Sequence, residues 1–203
     1  MKDSDKIDRI NRYTQTLRAR LYNPLLRILT NCGITPSFIT NLRLIGGIVF
    51  YIFFFTNPVW FSILLLVLLL LDTVDGALAR FQNNASDRGK FLDVFVDHVS
   101  YSLLLLLLLR ISSDTFSVSY NLFIIPIVYL LATIKKEEFK KSDWLIKVYP
   151  RVSYLKLAVI LPFFLKIMTN TDLIPMGLFI SNLTSSVLSI YYFIIIQSRW
   201  NKL

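Results

Sequence analysis

Apolar residues gather into six long runs, 37–56, 59–81, 91–111, 120–134, 152–168 and 173–197, with short polar or charged segments between them. Most approach the roughly 20 residues that an α-helix needs to cross a bilayer. Backbone polar groups find no partners in hydrocarbon, so runs of this kind are helical. The pattern predicts an all-α integral membrane protein with six transmembrane helices. Residues 1–35 read differently. Ile7, Ile10, Tyr13, Leu17, Leu21, Leu25 and Ile28 recur at spacings of three and four, which makes one apolar stripe, and Arg9, Arg12, Arg18, Arg20 and Arg27 flank it. Such a stripe suits an amphipathic helix lying on the membrane surface. Packing of the same stripe on the protein itself is the alternative. Gly33 and Pro36 end the helix. The chain thus divides into a juxtamembrane helix, 1–35, and a six-helix membrane domain, 36–203.

Charge orients this plan. The 203 residues are 55% hydrophobic and carry a formal net charge of +9. Segments 1–35, 80–90, 135–151 and the C-terminus hold 7, 3, 6 and 2 Lys or Arg residues, 18 of the 22, and the turns at 57–58, 112–115 and 169–172 hold none. By the positive-inside rule, both termini and the basic segments face the cytoplasm. Basic residues interleaved with apolar runs indicate topology and contact with anionic membrane lipids, not nucleic acid. Cys32 is the only cysteine, which excludes a disulfide framework within the chain, and His98 the only histidine, which excludes a histidine-rich zinc site. The first 35 residues have no apolar core of a signal peptide, so none is expected.

The acids change the picture most. Asp72, Asp75, Asp87, Asp93 and Asp97 are five of the thirteen, within 26 residues of chain. Four of them sit where an apolar run ends or begins. A carboxylate at the centre of a membrane helix costs roughly 2.5–3.5 kcal/mol, so such residues are functional by default. Asp72 and Asp75 share one helical face, and so do Asp93 and Asp97. The loop between them, about 82–90, is short enough to make the two helices antiparallel neighbours. Four carboxylates brought together repel by roughly 4 kcal/mol per pair at an effective dielectric near 20. A cation among them relieves this. Ligation by oxygen alone favours a hard ion, Mg²⁺ or Mn²⁺, and Mg²⁺ commonly keeps substrate phosphate in its shell. Gly76 and Ala79 leave room beside the acids, Arg80 is placed to meet a phosphate, and Gly89 frees the backbone before the third span. Asp87 falls outside the spacing and is expected to be a solvated loop residue.

The order Asp72-x2-Asp75-Gly76-x2-Ala79-Arg80-x8-Gly89-x3-Asp93-x3-Asp97 resembles the signature of the CDP-alcohol phosphatidyltransferase family, with every fixed position filled. Residues 33–40, Gly-Ile-Thr-Pro-Ser-Phe-Ile-Thr, are similar to that family's approach to its first span, with Ser37 where the family usually has Asn or Asp. The resemblance implies transfer of a phosphatidyl group from a CDP-linked lipid, typically CDP-diacylglycerol, to a polar alcohol with release of CMP. It implies two divalent ions held by Asp72, Asp75 and Asp93, with Asp97 as general base and a further metal contact. It implies that Gly76, Ala79, Arg80, Ser86, Ser37 and Thr40 bind the CDP-lipid, and that the protein is a homodimer.

The acceptor stays open between inositol phosphate, because the leading helix before Thr35-Pro36 resembles the inositol-phosphate-type and archaeal members of the family, and glycerol 3-phosphate, because Gly89-Lys-Phe-Leu-Asp93 resembles the glycerophosphate type. Lys156, Arg151, Lys135 and Lys136 form a basic wall that serves either an acceptor phosphate or topology alone. Arg43, in the first span, either lines the cavity or pairs with an acid. His98 points about 100° away from Asp97 and is assigned to packing or hydrogen bonding, not catalysis. Two other functions fit paired carboxylates in membrane helices. A UbiA-like Mg²⁺-dependent prenyltransferase would need more spans, and a cation transporter would have no use for Arg80 beside its acids.

Overall fold

The computed structural model describes residues 22–84, 86–138 and 152–200. They form helices α1 (residues 22–31), α2 (Pro36–Phe53), α3 (Pro58–Phe81), α4 (Asp87–Ile111), α5 (Thr115–Glu138), α6 (Val152–Thr169) and α7 (Ile174–Trp200), with a 3-10 turn at Phe54–Thr56 and no strand among the described residues. Five of these helices are long and apolar enough to cross a membrane. The 18-residue α6, which covers the predicted fifth span, is not among the five. Large apolar side chains cover the outward faces. Ile45, Ile52, Phe123, Phe179, Ile190 and Ile194 are all more than half exposed. A water-soluble monomer rarely carries apolar surface on this scale, whereas hydrocarbon accepts it.

Local chemistry sets the helix ends. Thr35 accepts a hydrogen bond from the Phe38 amide at 3.3 Å and Asn57 one from the Trp60 amide at 3.3 Å, and a proline follows each cap. At the far end of α3, Asn83 adopts φ +51° and the Asn84 amide donates to Ala79 O at 2.9 Å. Asn tolerates this left-handed position, and it closes the helix. The chain re-enters a helix sooner than predicted, because the Ser86 hydroxyl accepts from the Gly89 amide at 3.1 Å and caps α4. Asp87, expected in a loop, therefore opens α4. α5 likewise runs past the predicted end of its span, through Lys135 to Glu138.

The helices divide into two compact units, Met1–Ser100 and Tyr101–Leu203. In the first, α2 packs along α3, and Phe50 and Phe54 are buried edge to face at 5.6 Å. Leu26 of α1 is buried with Ile39, Val74 and Leu78, and Tyr22 and Leu29 pack against that cluster. Gln82 Nε2 donates to Thr30 Oγ1 at 3.2 Å and to Ile34 O at 3.0 Å, which ties the end of α1 to the end of α3. The described part of the leading helix thus packs on the protein, while Leu25 and Ile28, the last members of the predicted stripe, stay exposed. Ile7, Ile10, Tyr13, Leu17 and Leu21 lie outside the described residues.

In the second unit α7 packs along both α5 and α6. Of the seven consecutive leucines, Leu104, Leu105, Leu107 and Leu108 are buried and Leu106 is exposed. Asn121, fully buried, accepts from the Tyr101 hydroxyl at 2.7 Å and donates to Ser181 Oγ at 2.9 Å and Asn182 Oδ1 at 2.7 Å. Interhelical bonds of this kind contribute about 0.6–2 kcal/mol each in a membrane. Lys166, in the last turn of α6, pairs with Asp172 at 2.7 Å. Gly177 sets the α6–α7 approach. A Cβ there would collide with the Ala158 carbonyl oxygen, which is backbone and cannot turn aside. Gly177→Ala should therefore cost about 1–3 kcal/mol, within the overpacking range. Gly46→Ala should cost less, because its Cβ would meet only the flexible Leu68 side chain, Cδ2 at 2.6 Å and Cδ1 at 3.2 Å. Thermal melts of the detergent-solubilised variants check the ranking.

Candidate active site

All the groups that form the site belong to the first unit. Thr40 and Arg43 project from one face of α2, Asp72 and Asp75 from one face of α3, and Asp93 and Asp97 from one face of α4. Arg43 is buried at the centre, 4% exposed, and touches every one of the four carboxylates. Its Nη1 donates to Asp75 Oδ2 at 2.6 Å and Asp93 Oδ1 at 2.8 Å, and its Nη2 donates to Asp97 Oδ1 at 2.5 Å and pairs with Asp72 Oδ1. Thr40 Oγ1 donates to Asp75 Oδ2 at 3.0 Å. One guanidinium facing four carboxylates leaves an excess of negative charge in a partly dehydrated place.

Three of the acids could hold a further cation. Asp72, Asp75 and Asp93 each offer a carboxylate oxygen, and these atoms lie within 4.8 Å of one another. Asp97 is not in that group. Asp75 is buried, and its Oδ1 has no hydrogen-bond partner among the described residues. An uncompensated buried carboxylate oxygen costs several kcal/mol, and a metal ion would supply the missing partner. An all-oxygen donor set fits a hard divalent ion.

A cavity of about 350 Å³ opens beside the acids, large enough for a small-molecule site. Asp75 and Asp93 line it, and so do all six residues expected to contact a CDP-lipid: Ser37, Thr40, Gly76, Ala79, Arg80 and Ser86. A Cβ on Gly76 would come within 4 Å only of Arg80 Nη1, at an ordinary 3.7 Å. No other described residue crowds that position, and the bare backbone faces the cavity. Asn84 and Lys90 also line the cavity, and neither was singled out in the sequence. Lys90 lies three residues before Asp93 on α4, the spacing that puts two side chains on one face, and this was the signal available.

The remaining predicted residues fall elsewhere. His98 Nδ1 lies 2.9 Å from Val94 O, one turn back on its own helix. Lys156 belongs to the second unit, is 8% exposed, and holds its Nζ 5.5 Å from the centre of the Tyr101 ring, a cation–π distance. Lys135 lies in α5 with its side chain outside the description, and Arg151 lies outside the described residues.

A family model for CDP-alcohol phosphatidyltransferases matches residues 33–188. The archaetidylinositol phosphate synthase of Pyrococcus horikoshii is 39% identical over 88 residues, 41% of this chain and 47% of that protein. The synthase of the same description from Aeropyrum pernix is 47% identical over 49 residues, 24% of this chain and 25% of that protein. The chain thus matches about half the length of the first of these relatives and a quarter of the second. Among solved structures, the phosphatidylinositol phosphate synthase of Mycobacterium tuberculosis with CDP-DAG bound superimposes with a TM-score of 0.70, covering 86% of this chain and 92% of that one at 14% identity. A second structure of that enzyme, with manganese and citrate, gives 0.66 over 84% and 86% at 16% identity. At these identities the likeness shows a shared fold.

Proposed function

Because the chain belongs to the CDP-alcohol phosphatidyltransferase family, we propose that it moves a phosphatidyl-type group from a CDP-linked lipid, such as CDP-diacylglycerol, to a polar alcohol and releases CMP. The observation that carries this reading is the convergence of Asp72, Asp75, Asp93 and Asp97 on one centre, beside a cavity walled by the other residues of the same signature. Asp72, Asp75 and Asp93 would hold Mg²⁺ or Mn²⁺, two ions in all. Bound there, the metal would neutralise diphosphate charge and make CMP a better leaving group. Arg80, Ser37, Thr40 and Ser86 would orient the diphosphate and nucleoside along the cavity wall, and Gly76 and Ala79 would let them approach the backbone.

The acceptor hydroxyl loses a proton as its oxygen attacks the lipid-side phosphorus and the bond to CMP breaks. Asp97 is the group proposed to receive that proton. It lies one turn along α4 from Asp93, and its side chain is 35% exposed, so a hydroxyl from solvent can reach it. The two archaeal relatives favour inositol phosphate as acceptor over glycerol 3-phosphate, and Lys156, Arg151 and Lys135 are proposed to meet its phosphate. The same reading has six spans, with α6 as the fifth, an N-terminal helix at the membrane surface, both termini and the site on the cytoplasmic side, and a homodimer as the assembly.

Purified full-length protein, incubated with CDP-diacylglycerol, Mg²⁺ or Mn²⁺ and one alcohol at a time, tests it. CMP release is expected with inositol phosphate and to be much slower with glycerol 3-phosphate, inositol, serine or ethanolamine. Release with glycerol 3-phosphate alone would reassign the acceptor. No metal-dependent release with any alcohol would count against the whole reading.

A further inference from the structure

Arg43 is an arginine in an apolar helix, and no position of the acidic signature predicts it. An arginine at the centre of a membrane helix costs about 2.5–3.5 kcal/mol on insertion scales. Here it is buried at the meeting point of three helices. Its fork makes two matched bridges. Nη1 links Asp75 of α3 to Asp93 of α4, and Nη2 links Asp72 of α3 to Asp97 of α4. Each bridge takes one oxygen from each carboxylate: Oδ2 of Asp75 and Oδ1 of the other three. In Asp75 the second oxygen, Oδ1, is buried with no hydrogen-bond partner among the described residues.

This arrangement differs from simple charge compensation. A guanidinium is a rigid planar fork whose donors have fixed directions, whereas an ammonium is a point charge on a flexible stem. Without the fork, four carboxylates that repel by roughly 4 kcal/mol per pair would turn apart. Taking the proposed function as given, with Asp72, Asp75 and Asp93 as the metal ligands, we infer that Arg43 is a positioning residue for the divalent ion. It holds one oxygen of each ligand so that the other is aimed at the metal. Groups that orient metal ligands from behind typically contribute 10- to 100-fold in metal affinity.

The alternative is that Arg43 competes with the ion for the same carboxylates, and the two differ in sign. Mn²⁺ alone is titrated into full-length, detergent-solubilised, metal-stripped protein, and free Mn²⁺ is followed by electron paramagnetic resonance. Arg43→Lys keeps the charge and loses the fork. It is expected to weaken Mn²⁺ binding about 10- to 100-fold. Arg43→Gln, which leaves the site more negative, is expected to weaken it at least as much. Tighter binding in Arg43→Gln would identify a competitor and overturn the inference. Unchanged binding in Arg43→Lys would overturn it also, as would failure of both variants to elute like the wild type in size-exclusion chromatography, which would make the role purely structural. Wild-type protein that binds no Mn²⁺, or binds it equally well as Asp93→Asn, would overturn the metal reading itself.

Discussion

Asp97→Asn is expected to lower turnover by about 10²- to 10⁴-fold, the usual contribution of a positioned general base, and to leave affinity for the CDP-lipid unchanged. Asp97 shares Arg43 with the other acids, through the 2.5 Å contact from Nη2 to Oδ1. It stands apart from Asp72, Asp75 and Asp93, whose oxygens converge within 4.8 Å. Asparagine has nearly the same shape and can still accept the Arg43 hydrogen bond through its oxygen. It cannot take a proton. Loss should therefore fall on the chemical step, read as CMP release under saturating substrates, with direct CDP-lipid binding measured beside it. Substantial residual turnover would remove Asp97 as the base. A parallel fall in Mn²⁺ affinity would assign it a place among the metal ligands as well.

Much of this site was legible because its chemistry is local in sequence. Spacings of three and four put Asp72 with Asp75 and Asp93 with Asp97 on single faces, and a short loop made their helices neighbours. Arg43 was not legible in the same way. Its partners are 29 to 54 residues away, and a lone arginine among apolar residues has no period. Only its cost in a membrane marked it. The leucine run shows the opposite limit. Seven identical residues carry no amphipathic pattern, so packing alone chose Leu104, Leu105, Leu107 and Leu108 for burial and left Leu106 exposed. The start of α4 was missed because the helix period begins in the apolar run, whereas the cap lies upstream at Ser86. In α1, two stripes run side by side. The continuous one seen in the sequence includes Leu25 and Ile28, and the one that packs is Tyr22, Leu26 and Leu29.

Asp75→Asn should separate stability from function more sharply than any other single change. Asp75 is the most buried of the four acids, at 4% side-chain exposure against 35–43% for the others. Its Oδ2 receives Thr40 and Arg43, and its Oδ1 has no hydrogen-bond partner among the described residues. In metal-free protein its charge lies against Asp72 and Asp93, each contact worth roughly 3–4 kcal/mol of repulsion at an effective dielectric near 20, offset in part by Arg43. Asparagine keeps an oxygen for Thr40 and Arg43, removes the repulsion, and leaves Arg43 with three carboxylates. The variant should therefore melt at a higher temperature than wild type in EDTA. It should also lose the rise in melting temperature that Mn²⁺ gives the wild type by binding the folded state, and lose CMP release with it. Catalytic sites commonly carry such opposed effects, because the arrangement that binds substrate is a strained one without it. A melting temperature that falls in EDTA would mean that the Asp75 charge serves the fold. A Mn²⁺-induced rise as large as that of the wild type would mean that Asp75 is not a metal ligand.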